Sequence, residues 1–138
     1  MSAMWEVQKA MYSALTSNSN LMTLVSSRIY DEPPTDSQYP YIVLGDMVEI
    51  DQNRLAYKGF EISATFNIYT KAEGLGYYTA KKILEEMNNS LNCKKLALTG
   101  YTMVICKFDN SYTDREDDKR VLSARYMILV DNNTLITF

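Results

Sequence analysis

The densest set of chemically active side chains in this sequence is the charged run Thr113–Arg120. Its charged residues are, in order, Asp114, Arg115, Glu116, Asp117, Asp118, Lys119 and Arg120. Clustered carboxylates are the ligands that a hard cation such as Ca²⁺ prefers, but the run lacks the spacing and the central glycine of an EF-hand loop. Its own arginines and lysine also compete for the carboxylates. We therefore predict a solvated hairpin tip and no metal site.

Two further pairs of residues have types that could do chemistry. Gly74 and Gly76 precede a predicted helix, as in a phosphate-binding turn, but a third glycine and a P-loop lysine are absent. Cys93 and Cys106 share neither a metal-ligand spacing nor a redox spacing. We expect the glycines to form a connection and both cysteines to be buried free thiols in a reducing compartment.

The sequence contains no histidine. This removes the commonest general base, the commonest metal ligand and every Ser-His or Cys-His nucleophile pair. We therefore expect no catalytic residue, no cofactor and no metal, and the protein is predicted not to be an enzyme. The net charge of −3 also disfavours tight binding to nucleic acid, which usually needs a basic face.

Length and composition predict a single domain over residues 1–138. The chain is 46% hydrophobic and 22% charged, which are values of globular proteins. No apolar run approaches the roughly 20 residues that a membrane span needs, so no membrane partner is expected. The N-terminal residues carry a helical pattern with Glu6 and no basic region before an apolar core, which argues against a secretory signal.

Hydrophobic periodicity gives the order α-β-β-α-β-β. The predicted helices are Met4–Leu15 and Tyr77–Leu91 with a short turn at Leu21–Val25, and the predicted strands are Tyr41–Ile50, Phe60–Thr70, Tyr101–Tyr112 and Val121–Val130. Two hairpins and two amphipathic helices predict an α+β fold: a two-layer sandwich whose mainly antiparallel four-stranded sheet has its helices on one face.

Strict alternation in the second predicted strand fixes which side chains face the helices. The residues expected between the layers are Phe60, Ile62, Phe66, Ile68, Ile83, Met87, Ile128 and Val130. The polar residues Glu61, Thr65 and Asn67 alternate with the apolar ones of that strand and are expected on the opposite face. A slip of one residue would reverse the two faces.

Several segments occur in an order that resembles a known family. The chain opens with MWEVQKAMYSAL, continues with SSRIYDEPP and YPYIVLGD, has NIYT at the end of its alternating strand, and closes its last hairpin with SARYMILV. Within the second and third segments, the pair Pro33-Pro34 interrupts regular structure and Pro40 precedes a buried type of strand. In these features the chain resembles the tail completion proteins, also called tail terminators, of long-tailed bacteriophages and prophages.

The resemblance implies a structural protein of the virion. Such proteins form a homo-oligomeric ring, typically a hexamer, that caps the tail tube when the tube reaches full length. The capped tail then joins the head connector, so the implied partners are further copies of the chain, the tail tube protein and the connector, while DNA passes through without specific binding. The implied location is the tail–neck junction of the virion, and the host cytoplasm during assembly.

Two loops and one aromatic residue are the predicted protein-interaction sites. Their residues are Arg54 in the polar connection after the first predicted strand, Arg115, Asp117, Asp118, Lys119 and Arg120 in the charged run, and Trp5 on the first helix. Trp5 lies one position off the apolar stripe, so it anchors the helix to the sheet or contacts a neighbouring subunit. The family often has an Asp-Gly turn in the last hairpin, and this chain has no glycine there.

Two other classes of function stay open at this level. A small monomeric α+β enzyme or ligand-binding module would need a buried carboxylate or lysine of shifted pKa in a pocket. A toxin–antitoxin or regulatory module is the third possibility, and no sequence feature points to it.

Overall fold

The computed structural model describes residues 2–52, 57–72 and 76–135. Within these residues there are three helices, α1 (Met4–Thr16), α2 (Ser19–Val25) and α3 (Tyr78–Leu91), and five strands, β1 (Ile29–Tyr30), β2 (Tyr41–Asp51), β3 (Tyr57–Lys71), β4 (Tyr101–Glu116) and β5 (Lys119–Leu135). None of the described helices is long and apolar enough to cross a membrane.

The sheet has five strands in the order β1-β2-β3-β5-β4, and β1 pairs with β2 in parallel while the other pairs are antiparallel. The prediction of a four-stranded sheet was therefore wrong by one strand. The missing strand is the two-residue β1, which pairs through Ile29 with Ile42 and Tyr30 with Val43. Two residues are too few to produce an alternating pattern. A parallel pair is also not joined by a short hairpin turn, so no turn motif in the sequence marks the pairing.

The helical pattern of the N-terminal region was largely correct. The short turn predicted at Leu21–Val25 is α2, and its first turn is capped by Asn18, whose Oδ1 accepts a hydrogen bond from the Leu21 amide at 3.0 Å. Asn18 also donates through Nδ2 to the Ser90 hydroxyl at 2.9 Å and so ties α2 to α3. All three helices contribute buried side chains to one core with the sheet.

The predicted register is confirmed. All eight side chains expected between the layers are buried, from Phe60 at 5% exposure to Ile62 and Ile128 at 0%. On the other face of β3, Glu61, Thr65 and Asn67 remain partly exposed, and the Ser123 hydroxyl donates to Asn67 Oδ1 at 2.6 Å. Alternation along β3 and β5 was sufficient to orient the sheet, because each strand has only one face against the helices.

The charged run forms strand where a loop was predicted. β4 continues to Glu116 and β5 begins at Lys119, so only Asp117 and Asp118 form the turn. Asp117 takes φ 45°, in the left-handed region that aspartate tolerates better than most residues, and this replaces the glycine of an Asp-Gly turn. Every residue from Asp109 to Asp118 is exposed, which explains why no apolar alternation marks this half of the strand.

The two cysteines differ in burial, so the prediction of two buried thiols was wrong for one of them. Both are free, Cys106 is buried on β4, and Cys93 is exposed just after α3. The Cys93 amide donates to the Cys106 carbonyl at 2.7 Å, so the pair is close through the backbone. Cys93 takes φ 60° at the end of the helix, which keeps its side chain outside the core.

Buried ionisable groups predict a loss of stability in base. Burial, with a smaller contribution from Cys93, raises the pKa of the Cys106 thiol from 9.0 to about 12. Burial also raises the pKa of the Tyr126 hydroxyl. Because the unfolded chain releases these protons first, the stabilisation is fully present below pH 9 and is lost as the pH rises towards 12. For the thiol, we expect a loss of about 1.4 kcal/mol per pH unit in that window.

Urea unfolding at about pH 8 and about pH 10.5 measures this loss. Cys106→Ala should reduce it, whereas Cys93→Ala, which removes the exposed thiol and its smaller contribution, should reduce it much less. Equal pH dependence in the two variants would mean that the buried thiol does not contribute.

Candidate protein-interaction surfaces

The turn at Asp117 and Asp118 lies level with the end of β3. Lys71 pairs with Lys119 across the strands, and the Ala72 amide donates to the Asp118 carbonyl at 2.9 Å. The turn is therefore held against the neighbouring strand at one end of the sheet, which we call the tip end.

The cations of the charged run already have partners within the chain. The Arg115 guanidinium lies 5.6 Å from the Tyr77 ring, and Lys119 Nζ lies 5.3 Å from the Tyr69 ring. Arg120 Nη1 donates to the Lys119 carbonyl at 3.1 Å. These contacts brace the hairpin, and the carboxylates of Asp117 and Asp118 in the turn are exposed.

Arg54 lies outside the described residues. β2 ends at Asp51 and β3 begins at Tyr57, and both of these strand ends lie at the end of the sheet opposite the tip end. The 15-residue β3 separates the two ends by about 45 Å for extended chain.

Trp5 does not anchor α1 to the sheet, because 62% of its surface is exposed. The helix is held by its buried side chains Val7, Met11 and Leu15. Two hydrogen bonds add to this packing: the Ala3 amide donates to Glu49 Oε2 at 2.9 Å, and Gln8 Nε2 donates to Asp31 Oδ2 at 3.1 Å. Lys9 Nζ lies 5.8 Å from the Trp5 ring. Of the two interpretations made from the sequence, contact with a neighbouring subunit is the one that fits this position.

Trp5 lines a mainly apolar groove between α1 and the β1–β2 edge of the sheet. The groove has a volume of about 210 Å³. Its walls include Tyr12, Tyr30, Asp31 and Leu44. We call it the Trp5 groove. Tyr12 is itself 48% exposed, so two aromatic side chains about two helical turns apart face the same opening.

On the outer side of α1, the Lys9 ammonium group donates a hydrogen bond to the Glu6 carboxylate. Glu6 Oε2 and Lys9 Nζ are 2.6 Å apart, and this contact lowers the pKa of the Glu6 carboxyl. Because the pair lies on the surface, we expect it to contribute little to the free energy of unfolding.

The segment that carried the family resemblance builds the β1–β2 edge. Arg28 Nε donates to the Pro40 carbonyl at 2.9 Å and closes the loop between β1 and β2. Tyr41 stacks on Tyr69 with ring centroids 5.0 Å apart and contacts Tyr39 at 5.4 Å. Both tyrosines of the YPY motif thus pack in this aromatic cluster, so the motif has a structural role at this edge.

The two edges of the sheet carry patches of opposite charge, a feature that sequence reasoning missed. Exposed carboxylates lie along the β1–β2 side, and we define the acidic edge as Asp31, Glu32, Asp46 and Asp51. Exposed lysines lie on the part of the β4 side away from the tip end, and we define the basic edge as Lys94, Lys95 and Lys107; nearer the tip, β4 exposes charges of both signs. The members of each edge come from separate segments, so only the strand order brings them together.

Within the described residues, no group of three or more Asp, Glu, Cys or His side chains is placed to hold a metal ion. In the same part of the chain, the resolved shifts in pKa belong to Glu6, Tyr41, Cys106 and Tyr126. Desolvation is the main cause for the last three, and the contact with Lys9 is the main cause for Glu6. These groups do not converge on one pocket with a nucleophile and a base.

Comparison with known proteins gives one family and two informative structures. The model of the family described as tail completion protein gp17 matches residues 9–131. A chain from a solved structure described as the virion of a native gene transfer agent particle superposes with a TM-score of 0.86, at 22% identity, over 95% of this chain and 98% of that chain. A second solved chain gives a TM-score of 0.60 at 10% identity, over 100% and 98%.

No curated protein matches the sequence. At such identities the two structures establish the fold alone. The family model covers both sheet edges, α3 and most of α1, which includes every element of the core. The chain therefore belongs to the tail completion protein gp17 family.

Proposed function

We propose that this protein is the subunit of a ring that closes the end of a phage tail tube and gives the head connector a surface to join. As a member of a tail completion family, the chain is a structural tail protein of a phage-like virion. The finer role, a capping ring at the tail–neck junction, is the proposal. The observation that carries it is the family match over residues 9–131.

A ring fits the surface of the subunit. A closed ring needs a heterologous interface, in which two different patches of the same subunit meet. The chain offers unlike patches, an acidic edge and a basic edge, on opposite sides of its sheet. We favour six subunits because the tail completion proteins that the sequence resembles are typically hexameric.

The charge of the subunit suits a ring through which DNA passes. The chain has a net charge of −3, and the turn at the tip end exposes Asp117 and Asp118. A lumen without a basic lining does not retain DNA, because non-specific binding to DNA depends on neutralising its phosphates. The proposed protein partners are further copies, the tail tube protein and the head connector protein.

Electron microscopy of assembled tails tests the proposed role. Tails made with the protein should carry one extra ring at the head-proximal end, and tails made without it should lack that ring and fail to join heads. The molecular mass of the free protein in solution is the weaker measurement, because we expect the subunits to close into a ring on the end of the tube. A monomer or a two-fold dimer at that position would contradict the proposal.

We also propose that the tip end of the subunit contacts the connector or the tube. Replacing Arg115, Lys119 and Arg120 together by alanine should lower the yield of tails that join heads. These side chains are on the surface, so the melting temperature should change little. The matched control is Lys81→Ala with Lys82→Ala on the exposed side of α3.

A second variant separates bracing from direct contact, because the cations of the tip also pack on Tyr69 and Tyr77. Asp117→Asn with Asp118→Asn removes the exposed charge of the turn without touching those contacts, and asparagine tolerates the left-handed conformation of Asp117, so this variant should also lower the joining yield. If both variants gave the wild-type yield of tails that join heads, the tip would be a solvated turn without a partner contact.

A further inference from the structure

We propose that neighbouring copies in the ring join head to tail, with the basic edge of one copy seated against the acidic edge and the Trp5 groove of the next. The inference rests on the proposed ring and names the two surfaces that form it. In this arrangement the Trp5 groove is filled by a second copy of this chain, bound through its lysines.

The Trp5 groove has the chemistry that recognises an ammonium group on an apolar stem. Trp5, Tyr12 and Tyr30 supply aromatic surface, and the carboxylate of Asp31 lies in the wall. A lysine places its methylene stem along aromatic rings while its ammonium group meets a carboxylate or a ring face. Lys9 already makes such a contact with Trp5 at 5.8 Å inside the same copy.

The acidic edge extends this recognition along the side of the sheet. Asp31 accepts a hydrogen bond from Gln8, and no ion pair to Glu32, Asp46 or Asp51 is formed within the described parts of the chain. The nearby cation Arg28 is engaged with the carbonyls of Tyr39 and Pro40. The exposed carboxylates of this edge are therefore available to an incoming cation.

The basic edge carries three lysines that lack an ion-pair partner among the residues described. Lys94 and Lys95 lie on a short segment that pairs with the outer side of β4, where the Cys106 amide donates to the Lys94 carbonyl at 2.8 Å. Lys107 follows on β4 itself, and the next carboxylate along this strand, Asp109, pairs with Arg125 at 3.6 Å. This arrangement leaves a rigid group of like charges on an otherwise acidic protein.

The two edges lie at the same height of the sheet. Lys107 pairs with Met127, Met127 with Ser63, and Ser63 with Val48, so one row of residues crosses four strands from the basic to the acidic side. Val48 lies on β2 between two carboxylates of the acidic edge. Copies placed side by side with their strands in similar orientation therefore bring lysines opposite carboxylates, and such a contact repeats by rotation.

The test reverses each edge in turn and then mixes the two variants. The first variant combines Lys94→Glu, Lys95→Glu and Lys107→Glu, and its two edges are both acidic. The second variant combines Asp31→Lys, Glu32→Lys and Asp46→Lys, and both of its edges carry lysines. Each variant, added alone to tails assembled without the protein, should cap at least ten-fold fewer tails than the wild type. An equimolar mixture should restore capping, because unlike copies then alternate.

Alternation also reports whether the number of subunits is even, since alternating copies close a ring only in that case. All six positions are exposed, and each variant should keep the wild-type melting temperature within a few degrees. Lys81→Glu with Lys82→Glu, on the exposed side of α3, is the control for added negative charge and should cap normally.

A zero-length carbodiimide cross-link on wild-type capped tails gives an independent readout. It should join Lys94, Lys95 or Lys107 of one copy to Asp31 or Glu32 of another, a link that one copy is unable to form between its opposite edges. Normal capping by either variant alone would overturn the head-to-tail contact. The contact would also be overturned if the mixture failed to cap and these cross-links were absent. Failure of the wild type to cap would instead count against the proposed ring.

Discussion

Replacing Tyr126 by alanine is expected to lower the free energy of unfolding by about 3–5 kcal/mol, as truncation of a large buried aromatic side chain usually does. Tyr126 is fully buried at the centre of β5. Its ring meets Phe66 and Phe108 edge to face, with centroids 6.2 and 5.7 Å apart. Its hydroxyl donates to Asn88 Oδ1 at 2.6 Å and so ties the sheet to α3.

Two companion variants divide this loss into its parts. Tyr126→Phe keeps the ring but leaves the Asn88 oxygen without its donor, which should cost about 1–2 kcal/mol. Tyr112→Ala removes a tyrosine that is 61% exposed on the neighbouring β4 and should change stability by less than about 0.5 kcal/mol. Urea unfolding followed by circular dichroism measures all three, and similar losses for Tyr126→Ala and Tyr112→Ala would contradict this description of the core.

The position of Tyr126 was predictable because β5 alternates. Leu122, Ala124 and Ile128 share its face, and a single one-sided sheet gives such a pattern only one consistent orientation. β1 was not predictable, since its two residues have no period and its partner is found only after a ten-residue connection. Local patterns thus determined the register of the long strands, and the non-local pairing at the sheet edge required the structure.

The same distinction applies to the interaction surfaces. Trp5 stood out in the sequence because it lies off the apolar stripe of its helix, and its exposure agrees with one of the two interpretations made there. The charged run was recognised by its composition but taken for a loop, because a hairpin exposed on both faces has no apolar residue to mark it as strand. The acidic and basic edges draw on segments far apart in the chain, so strand order had to be known before either edge could be seen.

Replacing Trp5 by alanine is expected to abolish capping of tails at the protein concentration that suffices for the wild type, while leaving the monomer intact. The side chain is 62% exposed, so its loss should change the free energy of unfolding by less than about 0.5 kcal/mol. In the proposed ring the same residue is desolvated at every subunit interface, and truncation of such a tryptophan costs about 2 kcal/mol or more. Six identical interfaces multiply this to roughly 12 kcal/mol for the closed ring, so a modest loss per contact becomes decisive for assembly.

Tyr78→Ala provides the matched control, because Tyr78 is 59% exposed on α3 and belongs neither to the Trp5 groove nor to either sheet edge. Both variants are compared by urea unfolding and by counting capped tails over a range of protein concentrations. Trp5→Ala should need about 30-fold more protein than the wild type to cap half of the tails, since a loss of about 2 kcal/mol per subunit is offset by mass action at that excess. A shift of the capping curve of less than about three-fold would mean that Trp5 lies outside the interfaces.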